Sequence, residues 1–187
     1  MERKQKKIIK RALIYIPIFH SLEELKDGPD KIYRKQLGKE YNSFSKDFGK
    51  RYKIFWQKIN RHLEKEKIHK IYQDSYSFPY LFPGHFIEMF NPSPNSKILT
   101  KLIKKGGHMV KADSFFYKLT GDIDKRDNHI LNRINHTLKQ GETGVLFMGA
   151  GHKIKEKIRS KSFNINLKVF DAGIISLIKV FKKYFPK

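Results

Sequence analysis

Hydrophobic side chains recur at spacings of three and four along two long segments of the chain, as in helices that bury one face. Residues 45–67 form the first helix predicted in this way, with Ser45 or Asp47 as its cap. Its apolar stripe consists of Phe48, Tyr52, Phe55, Trp56, Ile59 and Leu63. The second helix is predicted at 124–140, where Asp122 or Asp124 can cap the start and Gly141 ends the pattern. Shorter helices are predicted at 97–105, 153–159 and 174–185.

Short runs rich in β-branched and aromatic residues alternate with these helices and predict strands. The runs are 13–16, 68–72, 108–110, 145–148 and 165–170. Pro17 has no N–H to donate to a sheet, so the first strand is expected to close near Ile16. Alternation of strand and helix predicts an α/β fold with a mostly parallel sheet covered by helices. We expect a single domain over residues 1–187, with a basic N-terminal extension at 1–10 and a basic amphipathic C-terminal helix at 174–187.

One stretch, from Gly144 to His152, combines the pattern of a buried strand with a turn. Its apolar run carries no charge and leads into Gly149-Ala150-Gly151, after which comes His152. Ligands of open α/β sheets bind beyond the carboxyl ends of the strands, where a histidine at the end of such a turn would lie. His152 is therefore either a functional histidine or an ordinary polar residue that finds a hydrogen-bond partner.

The chain is strongly basic: 40 Lys and Arg against 18 Asp and Glu give a formal charge of +22. A surface that binds polyanions would produce this excess, and so would a general compositional preference for lysine. The basic residues are dispersed and no nucleic-acid-reading motif accompanies them, so any nucleic-acid binding is expected to be weak and independent of sequence.

The longest uncharged apolar run, 12–19, is far shorter than the ~20 residues of a membrane span. A cytoplasmic protein without a transmembrane segment is expected, and the absence of cysteine excludes disulfides and thiolate metal sites.

Several common classes of enzyme are excluded by missing motifs. No Gly-x-Gly-x-x-Gly follows the first strand, and no P-loop or His-Glu-x-x-His is present. Residues 122–127 are rich in aspartate but lack the glycine and final glutamate of a calcium loop.

Three polar residues follow predicted strands: His20, Asp74 and His152. Arg126 and Asp127 open the helix that leads into the strand before His152. Because the carboxyl ends of parallel strands share one edge of a sheet, these residues can converge there. Two imidazoles and a carboxylate could hold a divalent metal or carry out acid–base chemistry.

The order of these motifs resembles the TraB, Tiki, ChaN and erythromycin-esterase superfamily. The resemblance rests on residues 14–20, 71–74, 126–130 and 144–152, although Pro17 stands where the family has a glycine in the first histidine loop. It implies an α/β fold with two Gly-x-x-His loops, an acidic residue after the second strand and an arginine before the second histidine loop. Members of the family include metal-dependent proteases, an ester hydrolase with a histidine base and a haem-binding lipoprotein.

Three hypotheses about function follow. In the first, a hydrolase acts on a small-molecule or peptide substrate through His20 and His152 as metal ligands or general bases. Asp74 then orients or shares the ligand, Arg126 stabilises developing negative charge, and Gly149 and Gly151 are the cofactor-binding positions. In the second, the same histidines hold a divalent metal or haem without turnover. In the third, the basic surface binds nucleic acid and the histidines are incidental.

Overall fold

The fold was examined in a computed structural model that describes residues 10–18, 29–73, 94–113, 117, 120–160 and 163–186. In this part of the chain, strands and helices alternate. The elements are β1 (Arg11–Ile18), α1 (Pro29–Leu37), a 3-10 turn (Gly38–Glu40), α2 (Tyr41–Glu64), β2 (Lys70–Gln73), α3 (Pro94–Lys104), β3 (His108–Val110), α4 (Ile123–Thr137), β4 (Thr143–Gly149), α5 (Ile154–Ser160), β5 (Ile165–Val169) and α6 (Ile174–Tyr184).

The five described strands form one sheet in the order β3-β2-β4-β1-β5, and every pair in it is parallel. Side chains of each strand alternate between the two faces. Ile14, Ile16 and Phe147 point to a face covered by α2, α3 and α6, whereas Leu13 and Met148 point to a face covered by α4 and α5. The predicted parallel α/β fold is confirmed.

The prediction that Pro17 closes β1 near Ile16 is wrong, because the strand continues to Ile18. The backbone groups of successive residues in a strand face opposite neighbours. The carbonyl of Tyr15 accepts a hydrogen bond from the N–H of Phe170, just beyond β5. The backbone of Pro17, two residues later, therefore also faces the β5 side. The pairing of β1 with β5 stops at Tyr15. The N–H that Pro17 lacks is therefore not needed for the pairing of β1 with β5. On the other side, Pro17 pairs in register with Met148 of β4.

The long helices differ from the prediction mainly at their ends. Helix α2 begins at Tyr41, and neither Ser45 nor Asp47 caps it, because Tyr41 and Phe44 extend the buried apolar stripe by one turn. Helix α4 begins as predicted: the side chain of Asp122 accepts a hydrogen bond from the N–H of Lys125 at 2.9 Å.

Candidate functional site

The carboxyl end of β4 lies at a point where the chain reverses its direction across the sheet. After β1 the chain crosses the first face and continues to β2, whereas after β4 it crosses the second face and continues to β5. Because β1 and β4 are neighbours and their connections cross opposite faces, the carboxyl end of this pair is a topological switch point of the sheet. Ligands of open α/β sheets bind at such switch points.

A turn carries the chain from β4 to His152. The N–H of Ala150 donates to the carbonyl of Ile18 at the end of β1, at 3.1 Å, and the N–H of His152 donates to the carbonyl of Gly149 at 3.2 Å. The backbone of Gly151 does not lie in the left-handed region, and a Cβ added there meets no atom of the described residues within 4 Å. The turn geometry alone therefore does not require glycine at 151.

Asp127 and His152 form a buried pair at this switch point. The Nδ1 of His152 is hydrogen-bonded to Oδ1 of Asp127, whose side chain is fully buried, and His152 exposes only 11 % of its side chain. An ionised carboxylate can only accept hydrogen bonds, so in the neutral ring Nδ1 carries the proton and donates to Asp127, and the lone pair is on Nε2. The pair thus orients the imidazole and selects its tautomer.

The second oxygen of Asp127 also has donors. The backbone N–H of Lys153 lies 3.3 Å from Oδ2, and Nζ of Lys157 lies 3.5 Å from the same atom. Lys157 reaches across from α5 and also contacts Oδ1 of Asp124 at 2.7 Å. Its hydrogen bond to that carboxylate lowers the pKa of Asp124. A buried carboxylate is stable only with such partners, and these donors come from the segment that follows His152.

Arg126, the residue before Asp127, makes a different contact. Its Nε lies 2.9 Å from Oδ1 of Asp113 and its Nη2 lies 2.5 Å from Oδ2, which is the two-pronged geometry of a strong pair. Asp113 follows β3 and its side chain is fully buried, while 14 % of the Arg126 side chain is exposed. The pair fastens the first turns of α4 to the end of β3.

The structure brings together only some of the residues predicted from the sequence. His20 and Asp74 lie outside the described residues, although β1 and β2, the strands that precede them, are the two neighbours of β4. Arg126 and His152 both contact buried aspartates, and Gly149 accepts a hydrogen bond from His152.

Three further residues, Asp113, Asp127 and Lys157, were not among the predicted site residues, although Asp127 was noted beside Arg126. Asp113 gives a signal like that of Asp74, a carboxylate shortly after a predicted strand, and could have been found in that way. Lys157 lies among other lysines and gives no separate signal. No group of three or more His, Asp or Glu side chains that could hold a metal ion occurs within the described ranges.

The fold and the site together define a parallel α/β protein with an aspartate-oriented histidine at a topological switch point. No protein-family model matches the chain, and searches of curated proteins and of solved structures find no relative. Among the helices that the structure describes, none combines the length and the apolar character needed to cross a membrane.

Proposed function

We propose that this protein is a hydrolase in which His152 is the general base and Asp127 holds it in place. The observation that carries the proposal is the hydrogen bond between His152 Nδ1 and the buried carboxylate of Asp127. An imidazole oriented by a carboxylate is the recurrent arrangement of histidine bases in acyl-transfer enzymes. Its position after β4, at the switch point of the sheet, is where such a sheet binds its ligands.

The chemistry follows from the tautomer of the ring. Nε2 of His152 takes a proton from a water molecule as the oxygen of that water attacks the carbonyl carbon of an ester or amide. The resulting imidazolium is stabilised by Asp127 and returns the proton to the leaving alkoxide or amine when the bond to the carbonyl carbon breaks. The backbone N–H of Lys153 and the side chain of Lys157 hold the Asp127 carboxylate in place during both steps.

The remaining predicted residues have supporting roles in this proposal. His20 and Asp74 supply further polar groups from the segments after β1 and β2, and the turn at Gly149 and Gly151 lets the substrate approach the backbone. Arg126 stabilises the negative charge that develops during the reaction. Asp113 fixes the orientation of the Arg126 side chain. The resemblance to a superfamily that includes an ester hydrolase with a histidine base supports the same reaction class, with a small-molecule or peptide substrate.

A second candidate function is supported by the same contact. Metal-bound histidines commonly donate their other ring N–H to a carboxylate, so Asp127 also suits a His152 whose Nε2 binds a divalent metal or haem iron. His20 would be the second ligand of a metal. In this case the protein binds its cofactor without turnover.

Hydrolysis of p-nitrophenyl acetate and a panel of short esters and peptides by the purified protein tests the proposal. His152→Gln should lower kcat by about 10²–10⁴-fold, and Asp127→Asn should lower it by a similar order because the ring loses its orientation. His136→Gln is the matched control, since His136 lies exposed on α4 and bonds only locally to the carbonyl of Asn132. The control should retain full activity.

Two results would contradict the hydrolase. One is an absence of turnover in the wild-type protein across the panel, and the other is equal activity in the His152→Gln and His136→Gln variants. Metal content and a Soret band, recorded on the same preparations, address the second candidate. Metal or haem retained by the wild-type protein and lost from His152→Gln, without turnover, would favour a binding module.

A further inference from the structure

A groove at the β5 edge of the sheet is lined by cations and apolar side chains. It lies between α5 and β5 and has a volume of about 590 Å³. Its lining residues are Lys10, Lys155, Ile158, Arg159, Phe163, Asn164, Ile165, Asn166, Leu167 and Val169. No acidic side chain is among them in the part of the chain that the structure describes.

The floor of the groove is apolar and partly open. Ile165 and Leu167 are half-buried against the core of the second face, and Val169, further along the same strand, is 44 % exposed. β5 is the last strand of the sheet, with β1 as its only neighbour in the described sheet. Half-buried Phe163 lies at the end of the groove near the start of β5. A ligand in the groove can therefore cover flat apolar surface.

The rim is cationic. Lys155 and Arg159 lie one helical turn apart on α5, ~6 Å along its axis, and both are exposed. Lys10, which immediately precedes β1, supplies a third exposed positive charge. A row of cations beside an apolar floor matches a polymer with two features. Its anionic groups repeat along the chain, and it carries flat groups that can stack on apolar side chains.

We infer that this groove binds single-stranded nucleic acid, with phosphates on Lys10, Lys155 and Arg159 and bases against Phe163 and the floor of β5. Charge complementarity selects a polyanion, and the apolar floor favours bases over the carboxylates of an acidic peptide. Asn164, which precedes β5, offers hydrogen-bond donors and acceptors for sugars or base edges without specifying one sequence. The inference does not depend on the proposed hydrolysis, which uses residues outside the groove lining.

Fluorescence anisotropy with a labelled oligo-dT probe tests the groove. With three phosphate contacts, the logarithm of the binding constant should fall with the logarithm of the salt concentration with a slope of about −2. The double substitution Lys155→Glu/Arg159→Glu should weaken binding by about tenfold or more at low salt. The milder Lys155→Gln/Arg159→Gln variant should reduce the slope to about −0.7, since one cation remains.

Lys104→Glu/Lys182→Glu is the matched control. Both lysines are exposed, they lie on α3 and α6 on the opposite face of the sheet, and the double reversal changes the net charge by the same amount. The control should bind the probe almost as tightly as the wild-type protein.

Phe163→Leu, which keeps an apolar side chain but removes the ring, should weaken binding by about fivefold or more while the salt slope stays unchanged.

Three results would overturn the inference. Equal weakening in the groove and control variants would mean that general charge attraction holds the probe. An unchanged affinity of the Lys155→Gln/Arg159→Gln variant for the probe would exclude the groove as the binding site. A polyglutamate peptide that displaces the probe at similar concentration would show that the groove accepts acidic peptides and does not select nucleic acid.

Discussion

The contact between Asp113 and Arg126 permits a quantitative test of how the candidate site is held together. Both charges are removed from water, since the Asp113 side chain is fully buried and the Arg126 side chain is 14 % exposed. Removing one partner of a buried ion pair costs about 3–5 kcal/mol of folding free energy. Arg126→Met, which removes the two-pronged contact to the fully buried carboxylate, should lie in this range. Asp113→Leu should cost somewhat less, because the guanidinium keeps partial access to water.

The double substitution Asp113→Leu/Arg126→Met should be much less destabilising than the sum of the single changes. An apolar pair of similar volume removes the charge and its desolvation cost together, and such replacements are often neutral. The difference between the double variant and the sum of the single variants should therefore be about 3 kcal/mol or more. Urea unfolding followed by circular dichroism measures these free energies, and unchanged m-values would show that the native and unfolded states stay comparable.

An exposed ion pair on the same protein is the control for this cycle. Nζ of Lys101 lies 3.6 Å from Oε1 of Glu64, and both side chains are about half exposed. Glu64→Gln should change the free energy of unfolding by less than about 1 kcal/mol. If the Asp113 and Arg126 substitutions were equally mild, or if their costs simply added, the buried pair would not fasten α4 to the end of β3.

Two further predictions concern the sheet and the turn after β4. Burial raises the pKa of Tyr72 to about 12, whereas an unfolded tyrosine ionises near 10, so the folded state loses about 2 kcal/mol of stability as the pH rises from 10 to 12. Tyr72→Phe should abolish this part of the loss in unfolding measurements across that pH range, and an equally steep loss in the variant would contradict it. Gly151→Ala should leave stability within about 0.5 kcal/mol of wild type, because the added Cβ meets no atom of the described residues within 4 Å and the backbone is outside the left-handed region. Lower ester hydrolysis by that stable variant would indicate that a substrate approaches the backbone there, whereas a large loss of stability would refute the structural reasoning.

The sequence allows the layers of the fold to be predicted because each layer has its own period of apolar residues. The apolar runs that became β3 and β4 and the stripe that became α2 were all recognisable. The end of β1 was not recognisable in this way. Whether a proline ends a strand depends on which neighbouring strand the backbone of the proline faces. Only the order of the strands shows that Pro17 faces a side where β5 has already stopped.

The site could be predicted only in part, for a similar reason. The turn after β4 drew attention to His152, and Arg126 and Asp127 were visible as a polar pair at the start of a helix. Their partners are set by packing between distant elements. Asp127 meets His152 and Lys157 across α4 and α5, and no local pattern distinguishes Lys157 from the other lysines of its helix.

Two contacts of α4 explain why consecutive residues near its start carry opposite charges. Arg126 reaches the end of β3, and Asp127 reaches the segment after β4. In the sheet, β2 lies between those two strands, so the contacts straddle the carboxyl end of β2 and fix α4 from both sides. Burying two carboxylates in this way adds little to stability compared with apolar side chains of the same size. Precise placement of His152 at the carboxyl end of β4 is what this arrangement achieves and an apolar contact would not, because a hydrogen-bond acceptor at Nδ1 fixes both the ring and its tautomer.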